Sequence, residues 1–190
     1  MNLNENYFKD VQIHLIDVNE EMTVIWKKYF DFSNVHIHNI DLQTFLNSGI
    51  YIDAIVSPAN SFGLMTGGYD KAIIDCLGQR AQDNVLTMLD IIYEGYQPVG
   101  TCLAVPFYKY FILHTPTMRK PEEIVDPRVI FDCMRSCLLE AKKHNCKSIL
   151  IPAFGGLTGN VPKEKIGYLM KLAYKRLLDP PTNKNWYSFF

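Results

Sequence analysis

The sequence predicts an α/β protein with a mostly parallel sheet and helices on both of its faces. Three observations carry this. β-Branched runs alternate with helical patterns along the chain, which implies crossover units. Two of the runs, residues 50–56 (IYIDAIV) and 148–151 (SILI), are almost wholly apolar, as strands buried on both faces are. A loop rich in glycine and small residues follows each of them.

The elements read in order as follows. Residues 11–17 (VQIHLID) alternate and predict a strand. Over residues 19–30, Met22, Ile25, Trp26 and Tyr29 form one helical stripe. Residues 34–38 (NVHIH) are a short strand, 41–46 a helical turn and 50–56 a central strand. The loop SPANSFGLMTGGYD follows. Residues 71–93 predict one long helix, or two broken near Gly78. Residues 101–105 and 110–114 are strands, and 116–127 is a loop with three prolines. Residues 128–144 place Ile130, Met134, Cys137, Leu138 and Ala141 on one side of a helix. After the strand 148–151, residues 153–161 form the second glycine-rich loop. Pro162 opens a helix that runs to about Leu178 and stops before Pro180 and Pro181.

The length of 190 residues suits one domain, expected over 1–190 with a core at about 10–178 and a tail at 179–190 that ends in NWYSFF. A 48% hydrophobic composition excludes a disordered chain. The formal net charge of -1 offers no general attraction to nucleic acid or to an anionic membrane. Five cysteines without a Cys-x-x-Cys pair read as free thiols in a reducing compartment. The polar N-terminus is unlike a secretory signal, and no apolar run nears the ~20 residues of a membrane helix. A cytoplasmic protein is expected. His36 and His38 share a strand face but lack a third ligand nearby, so neither a metal nor another cofactor is expected.

Ligands of open parallel sheets bind beyond the carboxyl ends of the strands, where both glycine-rich loops sit. Glycine lets backbone amides approach phosphate oxygens closely, and each following helix adds its positive end. Neither loop matches G-x-x-x-x-G-K-[ST] or G-x-G-x-x-G. The order of the pieces is more specific. Asp53-Ala54-Ile55-Val56 leads into Ser57-Pro58-Ala59-Asn60-Ser61, then Gly67-Gly68-Tyr69-Asp70 and a helix. Later, Ile151-Pro152-Ala153-Phe154-Gly155-Gly156-Leu157-Thr158-Gly159-Asn160-Val161-Pro162 spans the second loop. Together these resemble the macro domain family over about residues 10–178, with Thr115-Pro116-Thr117-Met118-Arg119-Lys120-Pro121 resembling a branch found in bacteria and their phages.

The resemblance implies a three-layer α/β/α sandwich with a mixed, mostly parallel sheet and a cleft for ADP-ribose or a related nucleotide. Asp41 would hold the adenine amino group. Phe154, Gly155, Gly156, Leu157, Thr158, Gly159 and Asn160 would wrap the diphosphate. Ala59, Asn60, Gly67, Gly68 and Tyr69 would line the distal-ribose side. Asn60 and Asp70, ten apart as in the family, would be the catalytic pair of an ADP-ribosyl hydrolase, Asn60 orienting the ribose and Asp70 a water. The family's first Asn is Ser57 here, Pro58 stiffens the turn, and the glycine run is shortened to Gly67-Gly68. A non-catalytic sensor of ADP-ribose or an NAD metabolite, or an interaction-only module, therefore stands beside the hydrolase. Asn60 also suits a turn that bonds its own backbone, and Asp41 and Asp70 suit helix N-caps. Phe62 and Tyr69 suit packing or stacking on a ligand. His114 suits a hydrogen-bonded core position, and Arg119 either a phosphate contact or a solvated loop.

Overall fold

The computed structural model describes residues 6–182. Six strands among them form one sheet: β1 (Gln12–Ile16), β2 (Val35–His38), β3 (Ala54–Ser57), β4 (Leu103–Phe107), β5 (Tyr110–His114) and β6 (Ser148–Pro152). The order across the sheet is β2-β1-β6-β3-β5-β4. All neighbours are parallel except β4, which runs antiparallel to β5. That hairpin closes through Tyr108 at φ 50, the positive φ that tight hairpin turns demand. β3 and β6 are buried at every position, as their apolar runs predict.

Seven helices flank the sheet among the described residues: α1 (Tyr7–Asp10), α2 (Glu20–Tyr29), α3 (Leu42–Asn47), α4 (Gly68–Leu77), α5 (Arg80–Tyr93), α6 (Val129–Lys143) and α7 (Lys163–Leu178). Trp26 of α2, Met134 and Cys137 of α6 and Tyr174 of α7 pack with Ile13 and Ile149 on one face. Phe45 of α3, Ile73 of α4 and Val85 of α5 pack with Ile55 and Leu150 on the other. The result is the expected three-layer sandwich.

Four details depart from the sequence reading. The strand expected over 50–56 begins only at Ala54; just before it, the Asp53 carboxylate accepts the Lys147 and Ser148 amides at the start of β6. The 71–93 region is two helices parted near Gly78, at φ 87, which is one of the two expected arrangements, but the first starts earlier than expected, at Gly68. Pro162 lies just outside α7 as its N-cap, with an extended ψ of 130. α1 was not expected; one turn capped by Asn6 is too short for a periodic pattern. The NWYSFF tail lies outside the described residues. All five cysteines are free. Among the described residues, no helix is long and apolar enough to cross a membrane.

Candidate nucleotide-binding groove

β1, β6 and β3 are parallel neighbours, so the loops that follow them meet at one edge. They enclose two cavities of about 210 and 380 Å³. Gly68, Tyr69, Ala153, Gly156 and Leu157 line both, which makes one groove with two ends. Leu157, 74% exposed, forms the waist: a Cβ built on Gly68 of the opposite loop would lie 3.4 Å from its Cδ1.

The smaller end collects Ala59, Asn60, Gly67, Asp70, Gly155, Thr158 and Gly159. Asn60 is committed to its own loop. Its Oδ1 accepts from the Phe62 and Leu64 amides at 3.1 and 3.4 Å, and its Nδ2 donates to the Leu64 carbonyl at 2.7 Å. Asp70 is not a helix cap; Gly67 occupies the cap and Asp70 lies in the first turn of α4. Its carboxyl is buried and accepts from Ser57 Oγ at 2.7 Å. Burial pushes its pKa up to about 7, against the opposing effect of the Ser57 hydrogen bond.

The larger end has an apolar floor of Ile16, Met22, Ile40, Leu42 and Ala72 with Asp17, Asn19, Asp41 and Lys163 around it. Asp41 lines this end and also caps α3, accepting from Thr44 N and Oγ1, each at 2.8 Å. The reading from sequence missed Asp17. It is the next residue after β1, so the strand-end rule that found the glycine loops points to it equally. Burial raises its pKa, opposed first by the Asn19 amide donating to it at 2.8 Å. Lys163 pairs with Glu21 at 2.9 Å. Tyr69 lies between the ends, with its hydroxyl buried and unpartnered among the described residues.

Two residues expected in the groove do not line it. Phe154 has no exposed surface and packs into the core beneath the loop, where an aromatic ring is better buried than hydrated. Asn160, at φ 52, turns its amide to Glu123 at 3.1 Å. Pro58, Leu64, Thr66, Thr117, Met118 and Pro121 join the smaller end unforeseen. Thr117, Met118 and Pro121 come from a loop distant in sequence, held by the Asn60–Met118 bridge and by Ser61 N donating to the Met118 carbonyl at 3.0 Å.

The second glycine loop is shaped by its own bonds. Val161 N returns to Gly155 O at 3.1 Å and Asn160 N to Leu157 O at 3.0 Å. The amides of residues 156–159 donate to nothing among the described residues. The first amides of α4, across the groove, are orphaned as at any helix start. A ring of unpaired donors backed by a helix N-terminus suits an anion. Gly159 is required by close approach: a Cβ there would sit 2.7 Å from Gly155 O. Gly159→Ala is expected to destabilise the protein by about 1–3 kcal/mol in urea denaturation, since backbone must move. An unchanged midpoint would contradict this packing.

The weaker candidates settle elsewhere. His36 contacts Gln12 at 2.9 Å and His38 contacts His14 at 3.0 Å. Among the described residues, no group of three or more His, Cys, Asp or Glu is arranged to hold a metal. His114 is buried with Nδ1 2.7 Å from Gln97 Oε1, and burial lowers its pKa to about 4. Arg119 lies over the Tyr96 ring, 5.3 Å from its centroid.

The macro domain family model matches residues 56–169, which takes in both glycine loops and the strands between them. The chain belongs to the macro domain family. An uncharacterized protein of Aquifex aeolicus (strain VF5) is 32% identical over 115 residues, 59% of this chain and 66% of that protein. Among solved structures, the Oceanobacillus iheyensis macrodomain with ADP aligns at TM-score 0.58 and 20% identity, covering 66% of this chain and 69% of that one. The Trypanosoma brucei macrodomain in complex with ADP aligns at TM-score 0.56 and 23% identity, covering 70% and 54%. The macrodomain of Mycobacterium tuberculosis DarG aligns at TM-score 0.57 and 16% identity, covering 69% and 86%. At these identities the structural likenesses establish the macro domain fold.

Proposed function

We propose that the groove binds ADP-ribose or a close NAD-derived relative. The observation that carries this is the run of four unpaired amides at residues 156–159, facing the start of α4 across a groove with two ends. A diphosphate would sit at the waist, on those amides. Adenosine would occupy the larger, apolar end, with the Asp17 and Asp41 carboxylates as acceptors for an exocyclic amine. The distal ribose would lie by Asn60 and Asp70. The Oceanobacillus and Trypanosoma macrodomains, whose structures hold ADP, support the same ligand class here. ADP-ribose at about 100 times its dissociation constant is expected to stabilise the fold by ~2.7 kcal/mol, seen as a rise in melting temperature, with AMP and NAD as controls. Absence of a shift with all three ligands would sink the reading.

Hydrolysis of an ADP-ribosyl bond is the further step. Asp70 is the group for it: ionised, it can hold a water and offset charge developing at an oxocarbenium-like carbon. With its pKa pushed up to about 7, the active carboxylate accumulates as pH rises. Turnover should therefore climb between pH 6 and pH 8, and Asp70→Ala should abolish it while sparing most of the affinity. Single-turnover release of ADP-ribose from a conjugate at those pH values tests this; a flat profile would remove Asp70 from the chemistry. The sensor reading draws on a specific observation too. Asn60 spends both ends of its amide on its own loop, and Asp70 is nearly buried and already accepts from Ser57 Oγ. An Asp70→Ala variant as active as the parent, or a parent that binds without turnover, would favour that reading.

A further inference from the structure

Beside the Asn60 end of the groove stands a group of side chains that lines neither cavity. Phe62 and Tyr96 are 41% and 38% exposed, and their rings meet edge to face with centroids 5.5 Å apart. The Arg119 guanidinium lies 5.3 Å from the Tyr96 centroid, and Lys120 follows it, also exposed. Single exposed aromatics are common and need no explanation. Two rings and a guanidinium assembled from three separate segments are a different matter.

The segments that carry this platform are the ones that line the groove. Phe62 lies between Asn60 and Leu64, and Arg119 between Met118 and Pro121; all four of these neighbours line the smaller cavity. The segments are also tied together. Ser61 N donates to the Met118 and Arg119 carbonyls at 3.0 and 3.2 Å, and Gln97 N donates to the Ser61 carbonyl at 3.0 Å. The platform therefore keeps its place relative to the cavity.

Resting on the reading that the distal ribose lies by Asn60, we propose that this platform is a subsite for an uncharged planar base carried on that ribose, so that the groove accepts dinucleoside diphosphates. A base on the anomeric carbon extends the ligand by one ring beyond the cavity. Aromatic side chains give such a ring a stacking surface whatever its hydrogen-bonding edge. Charge narrows the class. Arg119 and Lys120 repel a cationic ring and accept a neutral one, so the oxidised nicotinamide of NAD is disfavoured where its reduced, uncharged form is not. An aliphatic group on the ribose would gain little from the rings. The net charge of -1 offers a nucleic-acid strand no general attraction, so the subsite takes one base and not a polymer.

The test is calorimetric titration of the protein with ADP-ribose, diadenosine diphosphate, NADH and NAD. Stacking of one base predicts that diadenosine diphosphate and NADH bind about 10-fold more tightly than ADP-ribose, and NAD no more tightly. Tyr96→Ala and Phe62→Ala, both exposed sites whose folding is checked by thermal melting, should each erode that gain and leave ADP-ribose affinity unchanged. Arg119→Gln should bring NAD close to NADH. If ADP-ribose binds but the two neutral-base ligands gain nothing, or keep their gain in both aromatic variants, the platform is overturned and the ADP-ribose reading stands. If ADP-ribose fails to bind while diadenosine diphosphate binds in a Tyr96-dependent way, the platform stands and the ADP-ribose reading falls.

Discussion

Gly156→Glu is expected to weaken ADP-ribose binding at least about 100-fold while leaving the melting temperature of the free protein close to that of the parent. Gly156 lines both ends of the groove, in the run of unpaired amides. It has no positive φ, it is exposed, and a Cβ built on it meets only Ile166 Cδ1, at an ordinary 3.4 Å. The fold therefore tolerates a side chain there; the proposed phosphate does not. A glutamate places a negative charge beside a diphosphate. At ~4 Å and an effective dielectric constant of about 20, each pair of like charges is repelled by ~4 kcal/mol, so a 100-fold loss (~2.7 kcal/mol) is a modest demand. Gly156→Ala adds bulk without charge and should fall well short of that loss. Calorimetry with ADP-ribose measures both. Parental affinity in Gly156→Glu would remove the diphosphate from this loop. The contrast with Gly159 is informative, because there a Cβ strikes Gly155 backbone and the fold itself suffers.

Asp70→Asn is expected to stabilise the ligand-free protein, and by more as pH rises. In the folded chain Asp70 is buried, and its pKa is raised from 3.8 to about 7. A folded-state pKa above the unfolded one means that the folded protein holds the proton more tightly. The stability this confers is fully present below pH ~4 and is lost as pH climbs through the range up to about 7. At about 1.4 kcal/mol per pH unit, the loss approaches ~4 kcal/mol at pH 8. Asparagine copies the neutral carboxyl, keeps an acceptor for Ser57 Oγ and carries no charge, so its stability lacks this slope. Urea denaturation at pH 5 and pH 8 should show the gap between variant and parent widening by about 2–3 kcal/mol. A gap that does not change with pH would mean that Asp70 reaches solvent or a cation when ionised.

Much of the architecture was legible before any coordinates. The alternation of strand and helix patterns, and the two apolar strands each followed by glycine, placed a ligand cleft at one edge of a parallel sheet. These are local signals: period, β-branching and turn residues act over a few neighbours, so a linear reading can recover them. The spacing of Asn60 and Asp70 is local in the same sense, and both do lie at one end of the groove.

What the tertiary structure decided was everything that depends on strand order and on which side of a loop is buried. β6 lies between β1 and β3, although ninety residues separate it from β3 in the chain. That insertion brings Asp17 and Asn19, after β1, to the same groove as the glycine loops. It equally brings Leu157 over Gly68, while the β3–β5 pairing sets the segment around Met118 against Asn60 and the packing of α4 on β3 sets Asp70 against Ser57. Within the second loop, alternation could not say that Phe154 points into the core and Asn160 toward Glu123, because an irregular loop has no period. The physical reason is the same in each case. Sequence patterns record which residues prefer to be buried or to turn; which partners they then meet is set by long-range packing and register, and those are properties of the assembled sheet.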